Sequence, residues 1–221
     1  MTRKPREAVR SLPVPVPHTG VERVVSVPLP TVYGLFTAVG YFDHERGEEH
    51  MALVFGPPGT HDVLTRLHSE CLTGDVFGSQ HCECGEQLDS ALRAVVAAGH
   101  GVVVYLRGHE GRGIGLVAKL RAMALQADGL DTVDANLALG LPVDARDYGA
   151  AAGILHDLGV RSVRLLSNNL RKREALVRYG IPVSEQVPLL TPPCESNIAY
   201  LRAKRQRLGH HLPHLDAYTD G

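Results

Sequence analysis

Residues 101–129, GVVVYLRGHEGRGIGLVAKLRAMALQADG, join an apolar run to a glycine-rich segment and then to an amphipathic pattern. The run at 101–108 has the β-branched composition of a buried strand. Leu116, Leu120 and Met123 follow at helical spacing, and Gly129 supplies a helix stop. The stretch therefore predicts a strand that leads into a helix, the unit from which α/β folds are built.

The N-terminal side of this stretch has a different pattern. Residues 21–30, 31–43 and 50–56 are rich in apolar and β-branched residues. Turn-forming or charged segments separate them, which predicts antiparallel strands because short connections join antiparallel neighbours.

The C-terminal side repeats the strand-and-helix alternation. Residues 160–169 predict a strand, and the segments on either side, 145–159 and 170–180, predict helices. Asn168 or Asn169 would cap the second helix, and a further helix is expected over 195–209. The predicted fold class is α/β, with antiparallel N-terminal strands in a mixed β-sheet and helices packed on the sheet.

Length and composition bound the organisation of the chain. It has 221 residues and a formal net charge of −1, which suits one large domain and gives no sign of a nucleic-acid partner. No apolar run reaches the roughly 20 residues that cross a bilayer, and no signal peptide is apparent, so we expect a cytoplasmic protein without a membrane partner. We predict a flexible, proline-rich arm at 1–20, a single domain at 21–211 and a tail at 212–221.

Three of the four cysteines lie together in HSECLTGDVFGSQHCECG, residues 68–85. Closely spaced thiols in a reducing compartment favour a metal site, and Cys71, Cys82 and Cys84 could hold zinc with one position open, as catalytic zinc requires. A closed structural site completed by His68 or His81 and a set of buried inert thiols are alternatives that spacing leaves open. Cys194 has no nearby partner in sequence and is expected to be a free thiol.

Two segments resemble anion sites. RGHEGRGIG at 107–115 and SNNLRKRE at 167–174 each join a predicted strand to a predicted helix, where backbone N–H groups favour anions. Arg171, Lys172 and Arg173 oppose the helix dipole unless an anion is bound. A plain glycine-rich turn and a solvated basic face are the alternatives. A metal site beside two anion sites indicates hydrolysis of a nucleotide.

Several dispersed motifs closely resemble the GTP cyclohydrolase II family of riboflavin biosynthesis, in the order of that family and over roughly residues 25–211. They are RLHSECLTGDVFGS (66–79), CECGEQL (82–88), YLRGHEGRGIGL (105–116), DTVDANLALGLPVDARDYG (131–149), LLSNN (165–169) and KRQRLGH (204–210). The resemblance implies an enzyme, a homodimer, that opens the imidazole ring of GTP and releases formate and pyrophosphate. It also implies Zn²⁺ for the ring chemistry and Mg²⁺ with the triphosphate.

Carried over by position, the resemblance makes Cys71, Cys82 and Cys84 the zinc ligands, with water in the fourth place. It makes Asp144 the proton acceptor and Arg146 the nucleophile at the α-phosphate. For Arg146 we expect an electrostatic clamp instead, because a guanidinium keeps its proton. Without the resemblance, Asp144 could simply cap a helix and Arg146 could be solvated. The positions that match GTP contacts are Arg66, Leu67, His68, Ser69, Glu70, Gln87, Glu110, Gly111, Arg112, Thr132, Ser167 and Lys172.

The chain departs from the family pattern at a few positions. His81, Glu83 and Leu170 replace the usual arginine, aspartate and proline, and Met123 stands where the family has a catalytic tyrosine. A thioether has no proton to give, so we expect ring opening without loss of the formyl group. Met123 could equally fill the core beside Leu120. Full formate release, a silent nucleotide-binding homologue, or another purine substrate are the alternatives. The histidines of the tail are expected to be solvated.

Overall fold

The computed structural model describes residues 20–218. The predicted N-terminal arm lies outside the described residues except for Gly20, as do the last three residues of the predicted tail. The strands are β1 (Val21–Thr31), β2 (Gly34–Asp43), β3 (Glu48–Phe55), β4 (Val63–Ser69), β5 (Gly101–Leu106), β6 (Val163–Leu166) and β7 (Val183–Val187). The helices are α1 (Leu72–Asp75), α2 (Cys84–Ala97), α3 (Glu110–Gly113), α4 (Leu116–Ala127), α5 (Thr132–Ala138), α6 (Gly149–Asp157), α7 (Leu170–Arg178), α8 (Ile198–Leu208) and a 3₁₀ helix (Pro213–Ala217).

The described strands form one seven-stranded sheet in the order β1-β2-β3-β5-β4-β6-β7. β1, β2, β3 and β5 are antiparallel neighbours, whereas β4 runs parallel to both β5 and β6, and β6 runs parallel to β7. The predicted α/β class and the antiparallel N-terminal strands are confirmed. The parallel strands lie at one end of the sheet, and their carboxyl ends share one edge.

The sheet is covered on both faces. Alternation along the strands sends Val102, Val104 and Leu106 into a core with α6 and α7, while Val103 packs with α2 on the opposite face. Strands buried on both faces carry near-continuous apolar runs, which is why the 101–106 segment is recognisable from sequence. The predicted cap of α7 is Asn169, whose side chain accepts from the Arg171 N–H at 2.9 Å.

Two elements beside the candidate site lie outside the sequence predictions. β4 has the sequence VLTRLHS, which lacks a plain strand pattern because Arg66 and His68 occupy positions that would ordinarily be apolar. Helix α2 begins at Cys84, the second cysteine of the pair. Both elements carry polar or metal-ligating side chains at positions where a strand or helix ordinarily has apolar residues.

The residues after α8 pack against the body of the protein. Leu212 and Leu215 are buried in a small cluster with Ile198 and Leu201 of α8. Packed residues therefore continue past residue 211 as far as Leu215, while the predicted domain bounds stay a prediction. In the part of the chain that the structure describes, no helix combines the length and apolar character needed to cross a membrane.

Candidate active site

A cavity opens at the carboxyl ends of β4, β5 and β6, where open α/β sheets bind ligands. Residues at or just after the end of each strand line it: Ser69 and Glu70 for β4, His109 for β5, and Ser167 and Asn168 for β6. Helices α4, α5 and α8 contribute the remaining walls. One cavity thus collects the segments that the sequence singled out separately.

The three clustered cysteines meet at one wall of this cavity. Cys71 immediately precedes α1, Cys84 is the first residue of α2, and Cys82 lies in the loop between the helices. Their sulphur atoms lie within 4.8 Å of one another, and the Cys71 and Cys82 Sγ atoms are 3.7 Å apart. Gly74 permits this convergence, since a Cβ there would lie 3.0 Å from the Cys82 Sγ and 3.2 Å from the Cys71 Sγ.

The pKa shifts of the three thiols favour the binding of a cation. Hydrogen bonds from Cys82 and Cys84 hold the pKa of the Cys71 thiol well below its usual range, and the charge of Lys119 acts in the same direction. Hydrogen bonding to Cys71 in turn raises the pKa of Cys82 and of Cys84. A second and third thiolate therefore require a compensating cation, so the donor set fits a thiophilic metal ion.

Neither histidine that could close the site belongs to the ligand group. Within residues 20–218, the potential metal-ligating cluster consists of the three cysteines alone. The His68 Nε2 atom is hydrogen-bonded to the Asp75 carboxylate at 2.9 Å, and His81 lies at the exposed mouth of the cavity. Three thiols without a fourth protein ligand match zinc with an open position rather than a closed structural site.

Buried basic side chains also line the cavity. Arg66, Arg112 and Lys172 are 4%, 9% and 5% exposed, respectively. Arg66 donates to the Leu166 carbonyl and the Gln87 side chain, and the Lys172 Nζ donates to the Leu67 carbonyl at 2.6 Å. Buried cations with only neutral partners are unfavourable unless an anion compensates them, so these side chains fit a polyanionic ligand.

The segment 107–115 places Arg112 by an unusual backbone. Gly111 and Arg112 have φ values of 59° and 67°, so both lie in the left-handed region, which disfavours a residue with a Cβ. Both terminal nitrogens of the Arg112 guanidinium are buried and have no hydrogen-bond partner in the described part of the chain. A strained backbone that aims an unpartnered cation into a cavity is typical of a ligand-binding loop.

Of the three basic residues in the other predicted anion segment, 167–174, only one lies in the cavity wall. Lys172 is buried in the cavity wall, whereas Arg171 and Arg173 on the same turn of α7 are exposed. Burial lowers the pKa of Lys172 well below its usual value, and the charges of Arg66 and Arg146 lower it further. One of the three cations therefore faces the cavity, and the other two form the solvated basic face that the sequence left as the alternative.

Asp144 and Arg146 form a bidentate pair at the cavity. The Arg146 Nε and NH2 atoms donate to the two Asp144 carboxylate oxygens at 2.8 and 2.7 Å. Burial opposes ionisation of Asp144, but these contacts outweigh it and lower the pKa of the carboxyl. Arg146 lines the cavity and Asp144 lies behind it. Asp147 rather than Asp144 accepts from the first N–H of α6, so a helix-cap role for Asp144 is wrong.

The structure brings most of the predicted site residues together. Those that line the cavity, besides the cysteines and Arg146, are Arg66, His68, Ser69, Glu70, Gln87, Glu110, Gly111, Arg112, Met123, Thr132, Ser167 and Lys172. Leu67 is a correction: its side chain packs in the core with α6 and α7, because alternate residues of a strand face opposite sides. Its contribution to the site is the backbone carbonyl that holds Lys172.

Two other expectations are corrected. Met123 does not fill a core beside Leu120, since Leu120 is 47% exposed and Met123 lines the cavity. His210 is not a solvated tail residue, since it lines the same cavity and pairs with Asn169 in an isolated β-bridge. Burial lowers the pKa of His210, and the charge of Lys204 reinforces the effect.

Several further residues reach the cavity without having been predicted, and three of them carry ionisable side chains from distant helices. Lys119 comes from α4, and Tyr200 and Lys204 come from α8. The Lys204 Nζ donates to the Glu83 carboxylate at 2.8 Å and lies 4.5 Å from the centre of the Tyr200 ring. Their sequence signal is weak because single lysines on amphipathic helices are ordinarily solvent-exposed.

Comparisons with known proteins show the family of this chain. The family model for GTP cyclohydrolase II matches residues 22–188. GTP cyclohydrolase-2 of Streptomyces coelicolor is 80% identical over 200 residues, which cover 90% of each chain. Riboflavin biosynthesis protein RibBA of Nocardia farcinica is 58% identical over 197 residues, and that of Mycobacterium tuberculosis strain H37Ra is 57% identical over 205 residues. The chain spans about half the length of these two relatives, 48% of each.

The family match covers the cysteine cluster, the strained 107–115 loop and the cation-lined wall, and the similarity to the Streptomyces relative extends over nearly the whole chain. The chain therefore belongs to the GTP cyclohydrolase II family of hydrolases.

Proposed function

We propose that this protein is a zinc-dependent hydrolase that opens the imidazole ring of GTP and releases pyrophosphate, giving a pyrimidinone ribosyl 5′-phosphate that keeps its formyl group. The composition of one cavity supports this function, because three converging thiols and several buried basic side chains line it together. A guanine nucleotide would place its imidazole ring at the thiols and its phosphates at the cations.

The thiols would hold one Zn²⁺ ion per chain. When bound there, zinc would lower the pKa of a coordinated water toward neutrality and supply the nucleophile for the imidazole carbon. The support from the chain itself is the close approach of three sulphurs, the close packing of Gly74 against them, and the absence of a histidine from the ligand group in the described residues.

The polar residues around the thiols suit the guanine base. The Gln87 amide is held between Arg66 and Glu83, at 2.7 and 3.2 Å. The Glu110 carboxylate accepts from the Leu72 N–H at 2.7 Å and from Lys119. Each group is fixed in direction and retains a free lone pair, so amide and carboxylate can meet the donor edge of guanine.

The triphosphate would lie along Arg112, Lys172 and Arg146. Arg112 offers an unpartnered guanidinium, and Arg146 is held by Asp144 so that its charge faces the cavity. We infer that Arg146 stabilises charge at the α-phosphate as an electrostatic clamp. Among residues 20–218 no second cluster of three acidic or histidine ligands exists for Mg²⁺. Magnesium would therefore arrive with the triphosphate, held mainly by its oxygens and by water.

Asp144 is predicted by position to accept a proton. In the structure its carboxylate is bound by Arg146, and its lowered pKa makes it a weak base in this arrangement. We infer that its main contribution is to orient Arg146, while proton acceptance by Asp144 stays a prediction.

Met123 bears on which product is released. Opening the ring takes one hydrolytic event that breaks a C–N bond and leaves a formamide, and a second that would expel formate. The second event needs proton delivery to an amide leaving group, where a positioned acid contributes about a hundredfold or more. Met123 lines the cavity but its thioether carries no proton, so we infer that hydrolysis stops at the formylamino product.

The product assay tests this proposal. Purified protein with zinc and magnesium should convert GTP to pyrophosphate and a formylamino pyrimidinone, identified by mass spectrometry, without formate. A Met123→Tyr variant should gain formate release, and a Cys82→Ser variant should lose zinc and ring opening together. Stoichiometric formate from the unmodified protein would show complete GTP cyclohydrolase II chemistry. Bound but unaltered GTP would instead identify a silent homologue.

The homodimer, the cytoplasmic location and the single domain at 21–211 stay predictions, and the product assay does not test them.

A further inference from the structure

Lys119 is a buried cation for which the proposed reaction has no role. Its side chain is 16% exposed, and it projects from α4 toward the cysteine cluster. The Nζ atom donates to the Cys71 Sγ at 3.1 Å, to the Thr73 hydroxyl at 2.8 Å and to the Glu110 carboxylate at 2.7 Å. An ammonium has three N–H bonds, so these partners use its full donor capacity and fix its position.

The same contacts hold Cys71 from two directions. Lys119 reaches the sulphur directly, and its partner Glu110 accepts from the backbone N–H of Leu72, the residue that follows Cys71. Glu110 Oε1 lies against Lys119 and Glu110 Oε2 against Leu72. The ammonium and carboxylate therefore clamp both the side chain of Cys71 and the start of α1.

The net negative charge of a zinc ion held by three thiolates also favours a nearby cation. Three thiolates around one Zn²⁺ ion carry a net charge of −1, and Cys71 is 5% exposed, so water compensates this charge poorly. An ammonium 3.1 Å from a ligand sulphur compensates it directly and is a charge-assisted hydrogen-bond donor. Outer groups of this kind orient metal ligands and tune the ion that they hold.

We propose that Lys119 is a positioning residue of the zinc centre, which holds the Cys71 thiolate in place, offsets the net negative charge of the centre and links this ligand to Glu110. The proposal rests on the zinc site of the proposed function. It adds a residue from α4 whose three N–H bonds are all used by protein partners.

Zinc affinity and the spectrum of the cobalt-substituted protein test this role independently of turnover. Lys119→Met keeps the apolar stem and removes the charge and the donors. We expect its zinc affinity, measured by competition with a chromophoric chelator, to fall roughly tenfold to a hundredfold. We expect the thiolate-to-Co²⁺ charge-transfer band to move to lower energy, because a thiolate without its hydrogen bond is a better electron donor. Arg121→Met, an exposed position on the same helix, is the matched control and should match the unmodified protein in both measurements.

The outcomes separate this proposal from the zinc site itself. If the unmodified protein binds cobalt with a thiolate charge-transfer band and Lys119→Met shows the same affinity and the same band, Lys119 is not a positioning residue. If the unmodified protein shows no such band, the zinc site of the proposed function fails first. Circular dichroism establishes that each variant is folded. If Lys119→Met is not, Lys119→Gln is measured instead, and an unchanged affinity and band there would equally overturn the role.

Discussion

Arg66, Arg112 and Lys172 show how single residues decide the chemistry of this cavity. Each places a basic side chain in a buried position, and in the described part of the chain none of the three has a carboxylate as a hydrogen-bond partner. Burial of charge without a counter-charge costs stability, so proteins keep it where a ligand supplies the compensation. The cavity is therefore suited to an anionic ligand, and the ligand-free protein is less stable because of these basic side chains.

Arg146 is expected to act on turnover more than on affinity. Replacing it with alanine removes the charge that we propose stabilises the α-phosphate, and loss of one such stabilising group commonly slows a reaction about a hundredfold to a thousandfold. Pyrophosphate release under saturating GTP should fall by that order, while the dissociation constant of GTP should change much less. Arg171→Ala is the control, since Arg171 also contacts Asp144, at 3.4 Å, but is 56% exposed. An effect confined to affinity would make Arg146 a binding residue only.

The lowered pKa of Lys172 predicts that the protein takes up a proton when it binds an anion. Burial, together with Arg66 and Arg146, lowers the pKa of Lys172 well below its usual value, and a polyanion raises it again. Above the lowered pKa, pyrophosphate binding should therefore absorb protons. Because the unfolded chain binds more protons in that range, the ligand-free protein should also gain stability as pH rises toward the ordinary lysine pKa.

Isothermal titration calorimetry at one pH in two buffers of different ionisation enthalpy measures this uptake. The apparent binding enthalpy should depend on the buffer for the unmodified protein and for Arg173→Met, an exposed cation on the same helix. It should depend less on the buffer for Lys172→Met. Equal buffer dependence in all three proteins would contradict the assignment to Lys172.

At the scale of elements, the site depends on a helix from the far end of the chain. α8 places Lys204 against Glu83, the residue between Cys82 and Cys84, and the two side chains are 10% and 2% exposed. Gln87 of α2 also donates to Glu83, and Arg66 of β4 donates to Gln87. A chain of hydrogen bonds therefore connects α8, the cysteine pair, α2 and β4.

Breaking the Lys204–Glu83 pair should be costly. Lys204→Met leaves a buried carboxylate without its cation, and such changes reduce the free energy of unfolding by about 3–5 kcal/mol. The double variant Lys204→Met/Glu83→Gln should recover most of that loss, because the uncompensated charge is gone. Urea unfolding followed by circular dichroism measures both values.

Arg205→Met is the control from the same helix. Its partner is Asp216 at 2.6 Å, and the two side chains are 37% and 73% exposed, so loss of this pair should cost about 1 kcal/mol or less. If Lys204→Met is no more destabilising than Arg205→Met, the Lys204–Glu83 pair does not connect α8 to the site energetically.

At the scale of the whole molecule, the residues after α8 belong to the folded body. Leu215 is 5% exposed and packs with Leu212 against α8, which carries Tyr200 and Lys204 into the cavity. Leu215→Ala should therefore lower the free energy of unfolding by roughly 2–5 kcal/mol while a single unfolding transition is retained. Val177→Ala, at a position that is 49% exposed, should cost much less. A Leu215→Ala protein as stable as the unmodified protein would make 212–221 a dispensable tail.

The amino-acid sequence by itself determined the features that depend on neighbouring residues. Apolar and β-branched composition between turn-forming segments predicted the N-terminal strands, and the apolar run at 101–106 followed by helical spacing predicted β5 and α4. The spacing of Cys71, Cys82 and Cys84 indicated a metal site, and the dispersed motifs indicated the family. Each of these signals is local, because it depends on backbone geometry or on ligand spacing within a short segment.

Only the tertiary structure decided which of these residues meet and in which direction they face. The position of β4 between β5 and β6 directs Leu67 into the core and Arg66 into the cavity, and the packing of α4 exposes Leu120 while Met123 and Lys119 face the site. α8 brings Lys204 to Glu83 across 121 residues. Strand order and helix packing depend on contacts between segments distant in sequence, and no local pattern specifies them.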